Sequence, residues 1–151
     1  MHEFELINKY FSKLSQNSPS SLNLNDDVFF NKTNKIVVSI DTYIEGIHFV
    51  NFKNPGLVIK KIIRSSISDL ICKGSTPKYY FISASGNKKT FTKNNLLKIS
   101  KSFKEEQKKY NINLGGGDTV YSNKLALRLH LLDLLKKLYT ETSLNLMMIY
   151  T

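Results

Sequence analysis

Five aspartates and one run of glycines are the residues of this chain with the most chemistry to offer. Asp26 and Asp27 are adjacent and precede "VFF"; Asp41 follows the β-branched "KIVVSI". Asp69 stands in "SISDLICKG", and Asp118 follows the three glycines of "NLGGGDTVYS". Acids are scarce, 12 against 22 basic residues, so a set placed at element ends and in loops stands out. Carboxylates gathered without a counter-charge repel and raise one another's pKa. Mg²⁺ relieves that repulsion, because it takes oxygen ligands in octahedral geometry and is commonly held by a few carboxylates plus substrate phosphates. Glycines beside Asp118 let backbone N–H groups approach phosphate oxygens with no Cβ in the way. The chemistry this pattern suggests is metal-assisted handling of a nucleotide's phosphates.

Each motif alone also has a plain structural reading. An Asp-Asp pair is a common turn or cap. "GGGDT" lacks the lysine that a P-loop places after its last glycine, and it does not match the dinucleotide fingerprint. His48, in "EGIHF", is the histidine in the most suggestive context, although a histidine beside apolar residues is often structural.

These residues need elements to position them. Phe4, Ile7, Phe11 and Leu14 fall near helical spacing and predict a helix over 3–14. "QNSPSSLNLNDD" (16–27) reads as a loop. "KIVVSID" (35–41) reads as a buried strand that Asp41 closes. "NPGLVIKKIIRSSISDLICKG" reads as a helix with Pro55 at its start and Gly74 past its end. "PKYYFISAS" (77–85) is a strand, 92–110 a helix with Thr92 as N-cap, and "NINL" a short strand running into the glycines. "KLALRLHL" alternates, placing Leu125, Leu127, Leu129 and Leu131 on one face. The order predicts an α/β (α+β) fold, a mixed sheet with helices packed on one side.

Composition narrows the function classes. The 151 residues fit one ordinary domain. No run of about 18 apolar residues suggests a membrane span, and "MHEFELINKYF" is not a signal peptide, so a cytoplasmic protein is expected. Cys72 is the single cysteine; one thiol forms no internal disulfide, and it reads as buried filler. Net charge is +10, but the lysines are spread along the chain without an arginine-rich tract. Neither a specific nucleic-acid partner nor a membrane partner is expected.

The order of the motifs carries more than any one of them. "EFELI" (3–7), "NDD" (25–27), "SIDTYIEGIHF" (39–49), "SISDLICKGSTP" (66–77) and "LGGGDT" (114–119) occur in sequence. Together they resemble the N-terminal domain of thiamine-monophosphate kinase, a member of the superfamily of aminoimidazole-ribonucleotide synthetase-like, ATP-using enzymes. The resemblance covers roughly residues 3–122. It implies transfer of the γ-phosphoryl of ATP, the co-substrate, to thiamine monophosphate, with Mg²⁺ as cofactor and no phosphoenzyme. It implies metal ligation by Asp27, Asp41, Asp69 and Asp118, with Asp26 in support and contacts at Ser39 and at the Ile40 position. The family's Thr is Ile40 here, which leaves only a backbone carbonyl at that place. It further implies ATP contacts at Gly116, Gly117 and Asp118, a substrate contact at His48, and a homodimer in which sheets of two subunits close into a barrel. The family's Gly before Asp-Asp is Asn25 here, and Asn tolerates left-handed backbone.

The resemblance stops after "GGDT". The family's chains are about twice this length, and their C-terminal domain adds metal, nucleotide and substrate contacts. This chain continues with "LALRLHLLDLLKKLYTETSLNLMMIYT". The expected organisation is a nucleotide- and Mg-binding domain at 1–124, a divergent leucine-rich tail at 125–151 and no C-terminal domain. A reading-frame shift near 124–126 is suspected, since "LALRLH" and "LMMIY" read one base over in A+T-rich codons approach the family's peptide. Little or no kinase activity is expected of the 151 residues alone. The alternatives are another ATP-using member of the superfamily, such as a selenophosphate synthetase or a hydrogenase-maturation ATPase, and a non-enzymatic basic binding module. "EFELI" near the start and "EGIHF" after "SIDT" favour the thiamine enzyme over the other members, and a selenophosphate synthetase's reactive Cys in a Gly-rich N-terminal loop is missing; the binding module sits poorly with the carboxylate set.

Overall fold

The structure, a computed structural model, describes residues 2–16 and 18–134. Its two long helices form where the sequence supplies ends and an apolar stripe. Helix α2 (Pro55–Cys72) starts on a proline, whose missing N–H costs nothing in the first turn. It stops where Gly74 takes φ +73° and the Gly74 and Ser75 amides close back on Ile71 O and Leu70 O at 2.9 and 3.0 Å. Helix α3 (Lys93–Tyr110) is capped by Thr92, whose side chain accepts from the Asn95 amide at 3.2 Å. The helices are clamped side by side. Glu106, 1% exposed, accepts from Arg64 Nε and a terminal guanidinium nitrogen at 2.9 and 2.7 Å, and Lys60 pairs with Glu105 at 2.6 Å.

The strands β1 (Val28–Asn31), β2 (Ile36–Ile44), β3 (Tyr79–Gly86), β4 (Asn113–Tyr121) and β5 (Ala126–Leu134) form one sheet in the order β1-β2-β5-β3-β4. Only β3 and β4 run parallel, joined by α3 as the crossover a parallel pair requires. Strand β5 lies between β2 and β3, antiparallel to both. The core is the layer between this sheet and α2: Ile59, Ile62, Ile63, Ile67 and Leu70 pack against Val37, Tyr80, Leu129 and Leu131. Among the described residues no helix covers the opposite face. Phe29, Ile40, Tyr79, Phe81, Val120 and Leu134 are exposed there.

The mixed sheet with helices on one side agrees with the sequence reading, and so does the burial of Leu125, Leu127, Leu129 and Leu131 on one face. Several details differ. The predicted loop 16–27 contains a 3₁₀ helix, Pro19–Leu24. The short edge strand β1 was not expected; four residues carry too little alternation to announce themselves. The predicted N-terminal helix is helical without being a regular α-helix: α1 (Glu3–Leu6) passes into a π turn, Ile7–Phe11, and a 3₁₀ turn, Ser12–Ser15. None of it is buried, and Phe4, Phe11 and Leu14 face solvent. The glycines continue as strand in β4 where a loop was expected. The expected division at residue 124 falls just ahead of β5, so the sheet draws its central strand from the leucine-rich segment. Residues 135–151 of that segment, "LMMIY" among them, lie outside the described residues.

Candidate functional site

Asp41 lies inside β2, not at its end, because the strand runs on to Ile44. Alternation places Val37, Ser39, Asp41 and Tyr43 on the helix-facing side, where Val37, Ser39 and Tyr43 are buried. Strand β1 begins at Val28, opposite Ser39. Beyond Ser39 that edge of β2 has no strand neighbour among the described residues, and Asp26 and Asp27 sit immediately before Val28. The edge thus brings the acidic pair to the level of Ile40 and Asp41. Asp69 descends on the same place from the last turns of α2.

Electrostatics record the convergence. The Asp69 carboxyl is held above the usual carboxylate range, first by burial, then by the charges of Asp41 and Asp27, against the opposing Ser68 hydrogen bond and Lys73 charge. Asp26 gives one oxygen, Oδ2, to Lys73 Nζ at 2.9 Å in a nearly buried pair. Its other oxygen, Oδ1, and Asp41 Oδ2 are buried without a hydrogen-bond partner. Such orphans cost free energy unless something outside the chain satisfies them. Among the described residues no three His, Cys, Asp or Glu side chains stand close enough to hold an ion by themselves. The unpaired carboxylate oxygens of Asp26 and Asp41 are hard oxygen donors, the kind that Mg²⁺ takes one or two at a time beside phosphate and water. A cavity of about 230 Å³ opens beside the pair, lined by Asp26, Asp27, Ser21, Leu24, Phe29 and Ile40.

Of the remaining predicted residues, Ser39 is buried on the Asp41 face. The Ile40 side chain points the other way, 58% exposed on the open face, leaving only its backbone at the acidic edge. His48 sits on the turn after β2. Its Nδ1 accepts from the Ile44 amide at 3.0 Å, and its ring meets that of Tyr43 edge-on at 5.8 Å. Tyr43 links the two places. Its hydroxyl hydrogen-bonds Ser66 Oγ at 2.7 Å. Burial pushes that hydroxyl's pKa up, the Ser66 and Ser65 hydrogen bonds oppose this, and the Asp41 and Asp69 charges add to it. Beside His48 lies the larger cavity, about 500 Å³, walled by Phe49, Val50, Asn51, Asn54, Leu57 and Lys61.

Asp118 is placed apart. Register runs from Asp41 to Leu129, Ile82 and Gly117, and Asp118 shares its row with Ser83, Arg128 and Thr42. That row faces the side without helices, where Arg128 Nε donates to Thr42 Oγ1 at 3.1 Å. Three strand spacings separate β4 from β2, about 14 Å. One chain therefore does not bring Asp118 to the other four aspartates. The glycines have packing reasons of their own. A Cβ on Gly117 would stand 2.2 Å from Ile82 O, and Gly116 takes φ +156° where the β3–β4 register shifts.

Sequence reasoning missed Lys73, Tyr43 and Lys61. Lysine is the commonest charged residue here, and nothing in "ICKG" or "VIKKII" distinguishes the ones that reach a site.

Comparison with known proteins places the fold and the family. Thiamine-monophosphate kinase of Buchnera aphidicola subsp. Acyrthosiphon pisum is 34% identical over 142 residues, which cover 89% of this chain and 42% of the relative. The structure of AaThiL complexed with AMPPCP and TMP superposes with TM-score 0.75 at 23% identity, covering 90% of this chain and 43% of that one. That of thiamine monophosphate kinase from Aquifex aeolicus gives TM-score 0.73 at 22% identity, covering 91% and 45%. At these identities the two structures share the fold. The chain spans about two fifths of the length of the relatives it matches. Residues 25–131 match the family described as AIR synthase related protein, N-terminal domain, and the chain belongs to that family.

Proposed function

We propose that this chain is the N-terminal, nucleotide- and metal-binding part of a thiamine-monophosphate kinase, which transfers the γ-phosphoryl of ATP to thiamine monophosphate. The observation that carries the reading is the meeting of Asp26, Asp27, Asp41 and Asp69 at one strand edge, with two buried carboxylate oxygens unpaired. The relatives' names and the ligands AMPPCP and TMP in one structural neighbour support it. Asp27, Asp41 and Asp69, with Asp26, would hold Mg²⁺, and the Ser39–Ile40 backbone lies within their reach. Bound there, Mg²⁺ would neutralise phosphate charge and polarise the transferred group. The acceptor is itself a phosphate, so the protein's task is to position two anions in line rather than to supply a base. His48, with Nδ1 occupied by a backbone N–H, carries its neutral-ring proton on Nε2 and offers it as a donor to the acceptor. Gly116, Gly117 and Asp118 are assigned to the nucleotide.

The 14 Å gap to Asp118 gives the reading its assembly. The exposed apolar sheet face is that of a homodimer in which the sheets of two subunits close into a barrel, and Asp118 then serves the site of the second copy. The exposed Phe4–Phe11–Leu14 stripe belongs against a further domain of the kind that the longer relatives have room for. Among the described residues no helix is long and apolar enough to cross a membrane, and a cytoplasmic enzyme fits the reading.

The test is a thermal-shift titration of the chain with Mg²⁺ and AMPPCP, with and without thiamine monophosphate, beside Asp41→Asn. A ligand that binds the native state raises the melting temperature with its concentration. The reading expects a Mg²⁺-dependent rise that Asp41→Asn abolishes. A folded chain that shows no rise would sink it.

A further inference from the structure

The His48 turn is held from outside by one side chain that no part of the phosphoryl-transfer reading uses. Lys60 and Lys61 are neighbours on α2, and one helical step turns them about 100° apart. Lys60 goes to α3, where it pairs with Glu105 at 2.6 Å. Lys61 goes to the other side, where its Nζ donates to the backbone carbonyl of His48 and forms part of the wall of the 500 Å³ cavity. Apart from the Glu45 amide, which donates to Leu125 O at 3.4 Å, the hydrogen bonds of the turn it grips are short-range. The His48 amide donates to Ile44 O at 2.9 Å, the Ile44 amide to His48 Nδ1 at 3.0 Å, the Gly46 amide to Phe49 O at 2.7 Å and the Phe52 amide to Glu45 Oε1 at 2.8 Å. Phe49 is buried in the core at the end of the turn, but Ile47, His48 and Val50 are exposed, so burial does not hold His48 itself. Lys61 is the α2 side chain that hydrogen-bonds the exposed part of the turn, at the His48 carbonyl.

We infer that Lys61 is the positioning residue of this pocket. Its ammonium anchors the 44–49 turn to α2, which keeps His48 Nδ1 engaged with the Ile44 amide and Nε2 available to a ligand. An ammonium has three N–H donors; the His48 carbonyl takes one, and the charge adds an attraction for an anionic group entering the cavity. This inference rests on the proposed substrate reading only for the identity of the ligand, not for the anchoring.

Two measurements on the 151-residue chain separate those parts. Amide hydrogen exchange at Ile44 and His48 reads the anchoring without any ligand, with Ile62 and Ile63 of α2 as the control. Lys61→Met should speed exchange at Ile44 and His48 about tenfold and leave Ile62 and Ile63 unchanged. Lys61→Arg, which keeps a cationic donor, should restore protection. Unchanged rates at Ile44 and His48 in Lys61→Met overturn the inference; so does a general loss of protection that includes Ile62, which would make Lys61 a determinant of the fold. Titration with thiamine monophosphate reads the ligand: the dissociation constant should rise about tenfold in Lys61→Met and stay near wild type in Lys61→Arg. Failure of the wild-type chain to bind thiamine monophosphate removes the substrate reading and leaves the exchange result to decide the anchoring.

Discussion

The two faces of the sheet carry acids under opposite conditions. On the covered face, Asp41 lies next to Asp69 of α2 and the Asp26–Lys73 pair, and the packing that buries Leu129 and Leu131 holds it there. On the open face, Asp118 is exposed and bonded only locally, its Oδ1 accepting from the Thr119 amide at 2.8 Å. The first acid is costly in an empty fold, because charges meet with buried oxygens unpaired. The second costs nothing, because water solvates it. A site with unpaired buried charge marks where a fold is arranged for a ligand, whereas a solvated acid on an exposed face carries no such mark by itself.

The largest effect separates the faces by packing. Leu129 is fully buried, so Leu129→Ala should cost about 3–5 kcal/mol in urea unfolding. Val120→Ala on the open face should cost less than about 0.5 kcal/mol in dilute protein. A larger Val120 effect that grows with protein concentration would show the open face covered by another copy. Next in size is Gly117→Ala. Its Cβ would meet the Ile82 backbone carbonyl, not a flexible side-chain end, so the strand pair must shift. The expected cost is about 1–3 kcal/mol by the same measurement. Full stability in Gly117→Ala would mean that the glycine serves a ligand and not the strand contact.

The acids of the covered face then give a pH dependence with a defined sign. Asp69 is raised above its unfolded value by burial and by Asp41 and Asp27. The folded state therefore binds the proton more tightly, and stability from this group is present at low pH and lost as pH rises through the folded pKa. Melting curves across the range just above pH 4 should show the wild type losing stability relative to Asp69→Asn as pH rises. Mg²⁺ should recover that loss in the wild type and not in Asp69→Asn. Identical pH profiles would mean that the aspartates do not sense one another.

The contrast also explains what the sequence could tell. Alternation over "KLALRLHL" and the helix punctuation at Pro55, Gly74 and Thr92 are local signals, and they located α2 and α3 within a residue or two and β5 within three. Burial of Leu127 to Leu131 follows from the same period of two. The central placing of β5 is not local. It depends on pairing with β2 and β3, residues more than 40 positions away, and density of leucine says nothing of it. At the site, residue types announced the acids, while their grouping needed β1 to stop at Val28 and leave an edge beside Asp41. That Asp118 belongs to the other face depends on counting strands, which no motif records. Lys73 and Lys61 were invisible because nothing local marks which of many lysines meet a distant carboxylate or a turn carbonyl.

The finest test asks whether the two faces serve one site. Asp41 and Asp118 lie on strands about 14 Å apart and on opposite sides of one sheet, and the proposed reading has a nucleotide that uses both span two copies. Asp41→Asn and Asp118→Ala should each abolish the Mg²⁺–AMPPCP thermal shift while leaving the unliganded melting temperature close to wild type. Mixed in equal amounts after unfolding and refolding together, half the dimers carry one chain of each kind. In a twofold pair with the site shared between copies, each mixed dimer holds one intact site and one doubly damaged site. Binding should therefore return at about a quarter of the wild-type number of sites, measured by calorimetric titration. No return on mixing, with each variant folded and dimeric, would place Asp118 in the same chain's site. The sheet would then have to curl far enough for one subunit to close on itself. A return in the mixture, absent from either variant alone, can arise only from a site that neither copy completes.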